Sequence, residues 1–127
     1  MPIYVENIEK DTLENDNFRK VLATNKFSQL VVMNLKAGEN IGMEVHNDVD
    51  QFIRIEQGSG KAVLDGTDYP IEDAFAVVIP AGTEHDIINE SDKEMKLYSI
   101  YSPSEHPDGT IHKDKAEAEA YEAEHHH

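Results

Sequence analysis

The stretch EVHNDVDQ, Glu44 to Gln51, sets a carboxylate, an imidazole and a carboxamide close together, just ahead of the apolar run FIRI. On an extended chain, residues two apart point to the same side, so Glu44 and His46 share a face. A polar turn, NDVD, then brings Gln51 back beside His46, on the same parity as Ile53 and Ile55, which reads as an interior face. Much later, in IPAGTEHDIIN, the same rule puts His85, Ile87 and Asn89 on one face. Glu44, His46 and His85 together make a two-imidazole, one-carboxylate set, which suits divalent iron and also zinc, manganese or nickel. Gln51 adds a carbonyl oxygen to that set or hydrogen-bonds what it holds. The alternative for each His is a buried ring hydrogen-bonded for structure, and for Glu44 a solvated edge residue. An inward Glu44 must be charged and paired, because a lone buried carboxylate is costly.

Such donors converge only if short strands carry them. FRKVLATNKFSQLVVMNLKAG reads as two strands with a turn near Asn25. Further strands are expected over Glu44–His46, Gln51–Glu56, the two arms of a hairpin turning at Asp65-Gly66, the run AFAVVIP, Glu84–Asn89 and Met95–Tyr101. Close spacing and Gly, Pro and Asp punctuation predict an all-β sandwich or barrel. The expected core is Leu30, Val32, Ile53, Ile55, Val63, Val77, Ile79, Ile87 and Leu97. Phe52 takes the outward parity, which calls for a covering element or a partner. Residues 1–17 form an N-terminal arm, 18–101 the barrel, and 102–124 a surface loop followed by a short polar helix or tail. His125 to His127 read as tag residues rather than a metal site.

The chain has 127 residues, consistent with one domain, and 39% of them are apolar. There is no cysteine, which excludes disulfides, thiolate chemistry and Cys-ligated zinc and is compatible with a reducing cytoplasm, the expected location. With 26 acidic against 11 basic residues the formal net charge is −15, which repels phosphate backbones. No basic patch interleaves with aromatics, so no nucleic-acid partner is expected. No run approaches the length of a membrane-crossing helix, so no membrane partner is expected either.

The order and spacing of these residues resemble the cupins, small β-barrels that hold a metal between two motifs. The first motif typically runs Gly, five residues, His, one, His, three or four, Glu, six, Gly; here it runs Gly38, five, Glu44, one, His46, four, Gln51, six, Gly58. The second typically runs Gly, five, Pro, one, Gly, two, His, three, Asn; here it runs Ala74, five, Pro80, one, Gly82, two, His85, three, Asn89. The resemblance covers about Phe18 to Tyr101 and implies a double-stranded β-helix, the cupin jelly roll. Glu44 stands where the family's first His usually stands and Gln51 where its Glu stands, so the carboxylate and a neutral ligand have changed places while the ligand charge stays at −1. The resemblance implies a divalent metal on Glu44, His46, Gln51 and His85. Gly58, Pro80 and Gly82 are expected to set turns, Gly60 to add flexibility to its hairpin, and Asn89 to hold a turn or support the site.

A metal so held offers several chemistries: dioxygenase-like oxidation of a small organic substrate, isomerisation of a sugar or keto substrate, or activation of water. A pocket that binds a small ligand without turning it over is the non-catalytic reading. Interior walls of Ile53, Ile55 and Ile87 would favour a partly apolar ligand. His106 and His112, in the C-terminal loop, read as surface residues, and Tyr98 and Tyr101 as strand packing. Compact cupins commonly dimerise, and the outward Phe52 with the N-terminal arm makes a homodimer the expected assembly.

Overall fold

The computed structural model describes residues 3–125. The strands are β1 (Arg19–Thr24), β2 (Gln29–Leu35), β3 (Asp50–Gln57), β4 (Gly60–Leu64), β5 (Thr67–Ile71), β6 (Ala76–Ile79), β7 (His85–Asn89), β8 (Met95–Ser102) and β9 (Ile111–His112). Helix α1 (Ile8–Glu14) precedes them and α2 (Lys115–His125) follows. A six-stranded antiparallel sheet has the order β6-β3-β8-β2-β1-β9, and a three-stranded sheet the order β5-β4-β7. Side chains of both sheets meet in one core that includes Met33, Ile53, Ile55, Ala62, Ile87 and Leu97. This is the all-β architecture expected from the strand rhythm, in the jelly-roll form that the resemblance implies.

The register explains how the barrel changes character along its axis. One inner row crosses Met33, Leu97 and Ile55; the next crosses Val31, Ser99 and Ile53. The row beyond is Gln29, Tyr101 and Gln51, all buried. The interior is therefore apolar at one end and polar at the other, and chemistry belongs at the polar end.

Six of the expected core residues, Ile53, Ile55, Val77, Ile79, Ile87 and Leu97, are buried in that core. The parity of β2 is the reverse of the expected one: Val31, Met33 and Leu35 point inward, whereas Leu30 is half-buried on the outer face. Val32 is buried outside the core cluster, beside a cleft lined by Asp11, Glu14, Asn15 and Asn17. In β4 the inward residue is Ala62, and Val63 is half-buried on the other side.

The N-terminal arm contains a real helix. Asn7 caps α1, its side-chain oxygen accepting from the Lys10 amide at 3.0 Å, and the helix packs on β8, β3 and β2. Lys96 donates its ammonium to Leu13 O at 2.6 Å, and Asn34 donates to Asn15 O at 3.3 Å, which fixes the helix end to the sheet. At the other terminus, α2 is docked rather than frayed, with Ala118 buried in the core. His126 and His127, two of the three expected tag residues, lie outside the described residues; His125 closes α2.

Asn89 holds a turn, as expected. Its side-chain nitrogen donates to the carbonyls of Leu35, Lys36 and Lys93, and its oxygen accepts from the amide and hydroxyl of Ser91. Gly60 serves close approach rather than flexibility: a Cβ there would lie 1.9 Å from Ile88 O. Ala74, at the family's glycine position, keeps the left-handed backbone that glycine favours, with φ of +72°. On the outer face Val78, Phe52, Ile100 and Leu30 line up across β6, β3, β8 and β2. Phe52 packs on Tyr98 at 6.3 Å, and Val78 is 69% exposed. Among the described residues, no helix is long and apolar enough to cross a membrane.

Candidate metal centre

The expected strand at Glu44–His46 does not form. Residues 40–46 run along the free edge of β7 and touch it through isolated bridges, Asn40 to Ile88 and Glu44 to His85. Glu44 and His85 exchange both backbone hydrogen bonds, at 2.9 Å each. Buried Asp86 fastens the same segment, accepting from Asn40 Nδ2 at 2.8 Å and from the Gly42 amide at 2.9 Å. The chain is extended enough that Glu44 and His46 still project to one side.

The structure brings Glu44, His46 and His85 together: each offers a ligand atom, and these atoms lie within 4.8 Å of one another. Donors about 2.1 Å from a shared divalent ion stand roughly 3–4 Å apart, so the set needs only a small adjustment to hold one. His46 Nε2 is 2.8 Å from Glu44 Oε2, and the two rings are 5.2 Å apart. His85 Nδ1 lies 2.9 Å from Thr83 O; a carbonyl only accepts, so Nδ1 is the donor there and Nε2 is the nitrogen left to face the site. Gln51 is 4% exposed on the polar inner row; it donates through Nε2 to Ser99 Oγ at 3.0 Å, and its Oε1 has no partner among the described residues. A buried carbonyl oxygen so placed can bind a cation or accept from a ligand donor. Gln51 neighbours Tyr101 across the sheet, and the Tyr101 ring lies 6.3 Å from that of His46. The donor chemistry therefore fits a hard or borderline divalent ion.

Above the donors is a cleft of about 590 Å³, lined by Ile41, Met43, Val45, Glu105, His106 and, from α2, Lys115, Glu119 and Glu122 as well as by Glu44 and His46. Its apolar wall comes from Ile41, Met43 and Val45. Ile53, Ile55 and Ile87 are fully buried in the core and are not in the lining of this cleft. His106 is not a surface residue: its ring edge meets Tyr101 at 5.1 Å, and its Nε2 is buried without a partner among the described residues. Burial, helped by the charge of Arg19, pushes the His106 imidazole down to about 3, so the ring is neutral. Burial likewise pushes the Tyr101 hydroxyl up to about 12 and keeps it protonated. His112 is buried too, but away from the cleft, between Arg19 (3.4 Å) and Tyr121 (rings 5.3 Å apart). Glu105 and His106 escaped the motif reading because no local spacing marks them.

Burial pushes the Glu44 carboxyl up, but the hydrogen bond and charge of His46, with the charge of Arg19, outweigh it and hold the group below its usual range. The hydrogen bond to Glu44 holds the His46 imidazole above its usual range, against burial and with help from Glu105 and Glu122. Without metal, the His46 contribution to stability is full below the ordinary value of 6.5 and is lost as pH rises through the raised folded value. The Glu44 contribution is present above 4.5 and is lost as pH falls through the lowered folded value. The gap in thermal midpoint between the metal-free wild type and His46→Ala should therefore be widest between pH 4.5 and 6.5 and shrink on either side. Metal affinity should run the other way, rising with pH, because an ion must displace the proton from His46. Scanning calorimetry and metal titration across pH check the two trends.

Comparison with known proteins agrees with this architecture. The family model described as "Cupin domain" matches residues 31–101. The uncharacterized protein YrkC of Bacillus subtilis (strain 168) is 46% identical over 125 residues, covering 94% of this chain and 67% of that protein. An uncharacterized protein of Acanthamoeba polyphaga mimivirus is 45% identical over 113 residues, covering 86% of this chain and 71% of its own. The crystal structure of BH2720 from Bacillus halodurans superposes with a TM-score of 0.90 at 41% identity, covering 92% of this chain and 93% of that one. With the motif spacing, the two sheets and the inward donors already in place, these matches make the chain a member of the cupin family.

Proposed function

We propose that this cupin binds one divalent metal ion through Glu44, His46 and His85, with the Gln51 carbonyl oxygen as a fourth donor or as a hydrogen-bond partner to what the metal holds, and that the site acts on a small organic ligand. The observation that carries the reading is the convergence of the three donors within 4.8 Å beneath an open cleft. Bound there, divalent iron would supply dioxygen chemistry beside a chelating substrate, as two-imidazole, one-carboxylate sites do. The chain's own part is to orient and enclose. Ile41, Met43 and Val45 would hold an apolar portion of the ligand, and His106 Nε2 would take up one of its polar groups. Tyr101, protonated and buried, would close the floor.

A second reading, isomerisation of a keto or sugar-like substrate, is favoured by His106, which among the described residues is the one imidazole lining the cleft outside the donor set. The apolar row of Val78, Phe52, Ile100 and Leu30 supports a homodimer as the working assembly.

The test loads the protein with ferrous iron under anaerobic conditions, adds diketones, catechols and flavonols in turn, and then admits air. Oxygen uptake that disappears in His85→Ala supports the oxidative reading. Exchange of the substrate's alpha hydrogen in deuterated water, without oxygen uptake and lost in His106→Ala, supports the isomerase. Tight binding with neither signal leaves a binding module.

A further inference from the structure

The two imidazoles of the donor set are held in matching ways. His85 is oriented from behind by the Thr83 carbonyl on Nδ1. His46 sits in a segment with no regular structure, yet its Nδ1 is also occupied, by Glu105 Oε1 at 3.3 Å. Each ring thus has its back nitrogen engaged and presents Nε2 to the site. A carboxylate behind a metal-binding imidazole selects the Nδ1–H tautomer, fixes the ring plane and raises ligand basicity.

Glu105 lies 59 positions after His46 in the chain, so something must deliver it. That residue is Gln29, 1% exposed on the polar inner row. Its Oε1 accepts from the Glu105 amide at 3.2 Å and the His106 amide at 3.0 Å. Its Nε2 donates to His106 O at 2.7 Å and to Thr24 Oγ1 at 2.9 Å. One side-chain amide satisfies three backbone groups of the strap that crosses the barrel mouth after β8. The His106 ring against Tyr101 pins the strap a second time.

We propose that Glu105 is a positioning residue for His46, set in place by the Gln29 clamp, so that the strap after β8 is part of the metal site. This rests on the metal-binding reading above. It gives Gln29 and Glu105 a role outside both cupin motifs.

The experiment uses the full chain with residues 125–127 removed and zinc as the probe. Zinc affinity is measured by chelator competition for the wild type, Glu105→Ala, Glu105→Gln and Gln29→Leu. Long-range ¹H–¹⁵N spectra of the metal-free proteins report the His46 ring nitrogens. Glu105→Ala should weaken zinc roughly 10–100-fold and shift the His46 Nδ1 resonance. Its metal-free unfolding midpoint should stay near that of the wild type, because the Glu105 side chain is 30% exposed. Glu105→Gln should recover most of the affinity, since its amide oxygen still accepts from Nδ1–H. Gln29→Leu, if folded, should reproduce the Glu105→Ala loss. Wild-type zinc affinity in Glu105→Ala, with unchanged His46 resonances, overturns the proposal. A wild type that takes up no zinc, while Glu105→Ala still shifts the His46 Nδ1 resonance, upholds the contact and overturns the metal reading instead.

Discussion

Removing both imidazoles, His46→Ala with His85→Ala, should take bound metal from close to one ion per chain to background once residues 125–127 are absent. Glu44 would remain as one carboxylate, which does not retain a divalent ion at micromolar protein. The loss in affinity should exceed the roughly 10–100-fold that follows removal of an outer partner of a ligand. Elemental analysis after anaerobic reconstitution, with wild type and double variant side by side, reads it directly. Equal, substoichiometric metal in both would sink the metal site. The donors Glu44 and His85 also pair through their backbones, but those bonds do not involve the side chains. Loss of metal would therefore not follow trivially from loss of the fold, and the circular dichroism spectrum of the double variant should stay that of a β protein.

Part of this site was legible because the donors obey local rules. Glu44 and His46 are two residues apart on extended chain, and His85 opens a strand whose inward parity Ile87 and Asn89 continue. The same alternation turns Gln51 inward, and it is buried beside Tyr101 on the inner row. Glu105 and His106 obey no periodicity. They reach the cleft because Gln29, 76 and 77 positions away, hydrogen-bonds their backbone, and a contact of that separation leaves no trace in local spacing. The walls of the cleft are Ile41, Met43 and Val45 rather than Ile53, Ile55 and Ile87 for a related reason: alternation separates inside from outside but not core from mouth. Position along the barrel axis depends on register, which the strands settle only together.

Gly60→Ala should be the most damaging single change in the barrel. The added methyl would stand 1.9 Å from Ile88 O, and 3.0 Å from both Ile88 C and Met95 Cε. Met95 can shift its flexible end, but Ile88 is backbone of the paired strand and cannot yield without parting β4 from β7. Gly60 faces Asn89 in that register, so the strain reaches the amide that ties three carbonyls together. A cost of at least about 4 kcal/mol is expected, at the exceptional end for one substitution and a large share of the stability of a domain this size. Gly38→Ala is the control: its φ is +77°, but nothing lies within 4 Å of the added Cβ, so only the left-handed backbone penalty of about 1–2 kcal/mol applies. Urea unfolding of both variants should separate them clearly; similar midpoints would refute the close-approach account.

The strand parities show the same division between local and global information. β3 alternates cleanly, and its inward Ile53 and Ile55 were readable. β2 is buried on six of its seven positions, inside by the barrel and outside beside α1, so its apolar run carries no alternation to read. In β4 the inward positions are Ala62, which is small, and Leu64, so the larger Val63 is on the opposite face from the one its size suggests.

The segment 40–46 carries two of the three donors; it lies along β7 and Asp86 on one edge, and elsewhere it is held by single contacts, Asn40 with Lys115 and His46 with the Gly82 amide and Glu105. Its other edge has the cleft. An ion gripping Glu44 and His46 on this segment and His85 on the barrel would act as a rivet between them. Detaching the segment would then require release of the ion, so the mouth of the barrel would stiffen with the logarithm of free metal, by about 2.7 kcal/mol at a hundredfold excess over the dissociation constant. Metal supply would thereby set how long the cleft stays open to a ligand, as well as what happens to the ligand inside it.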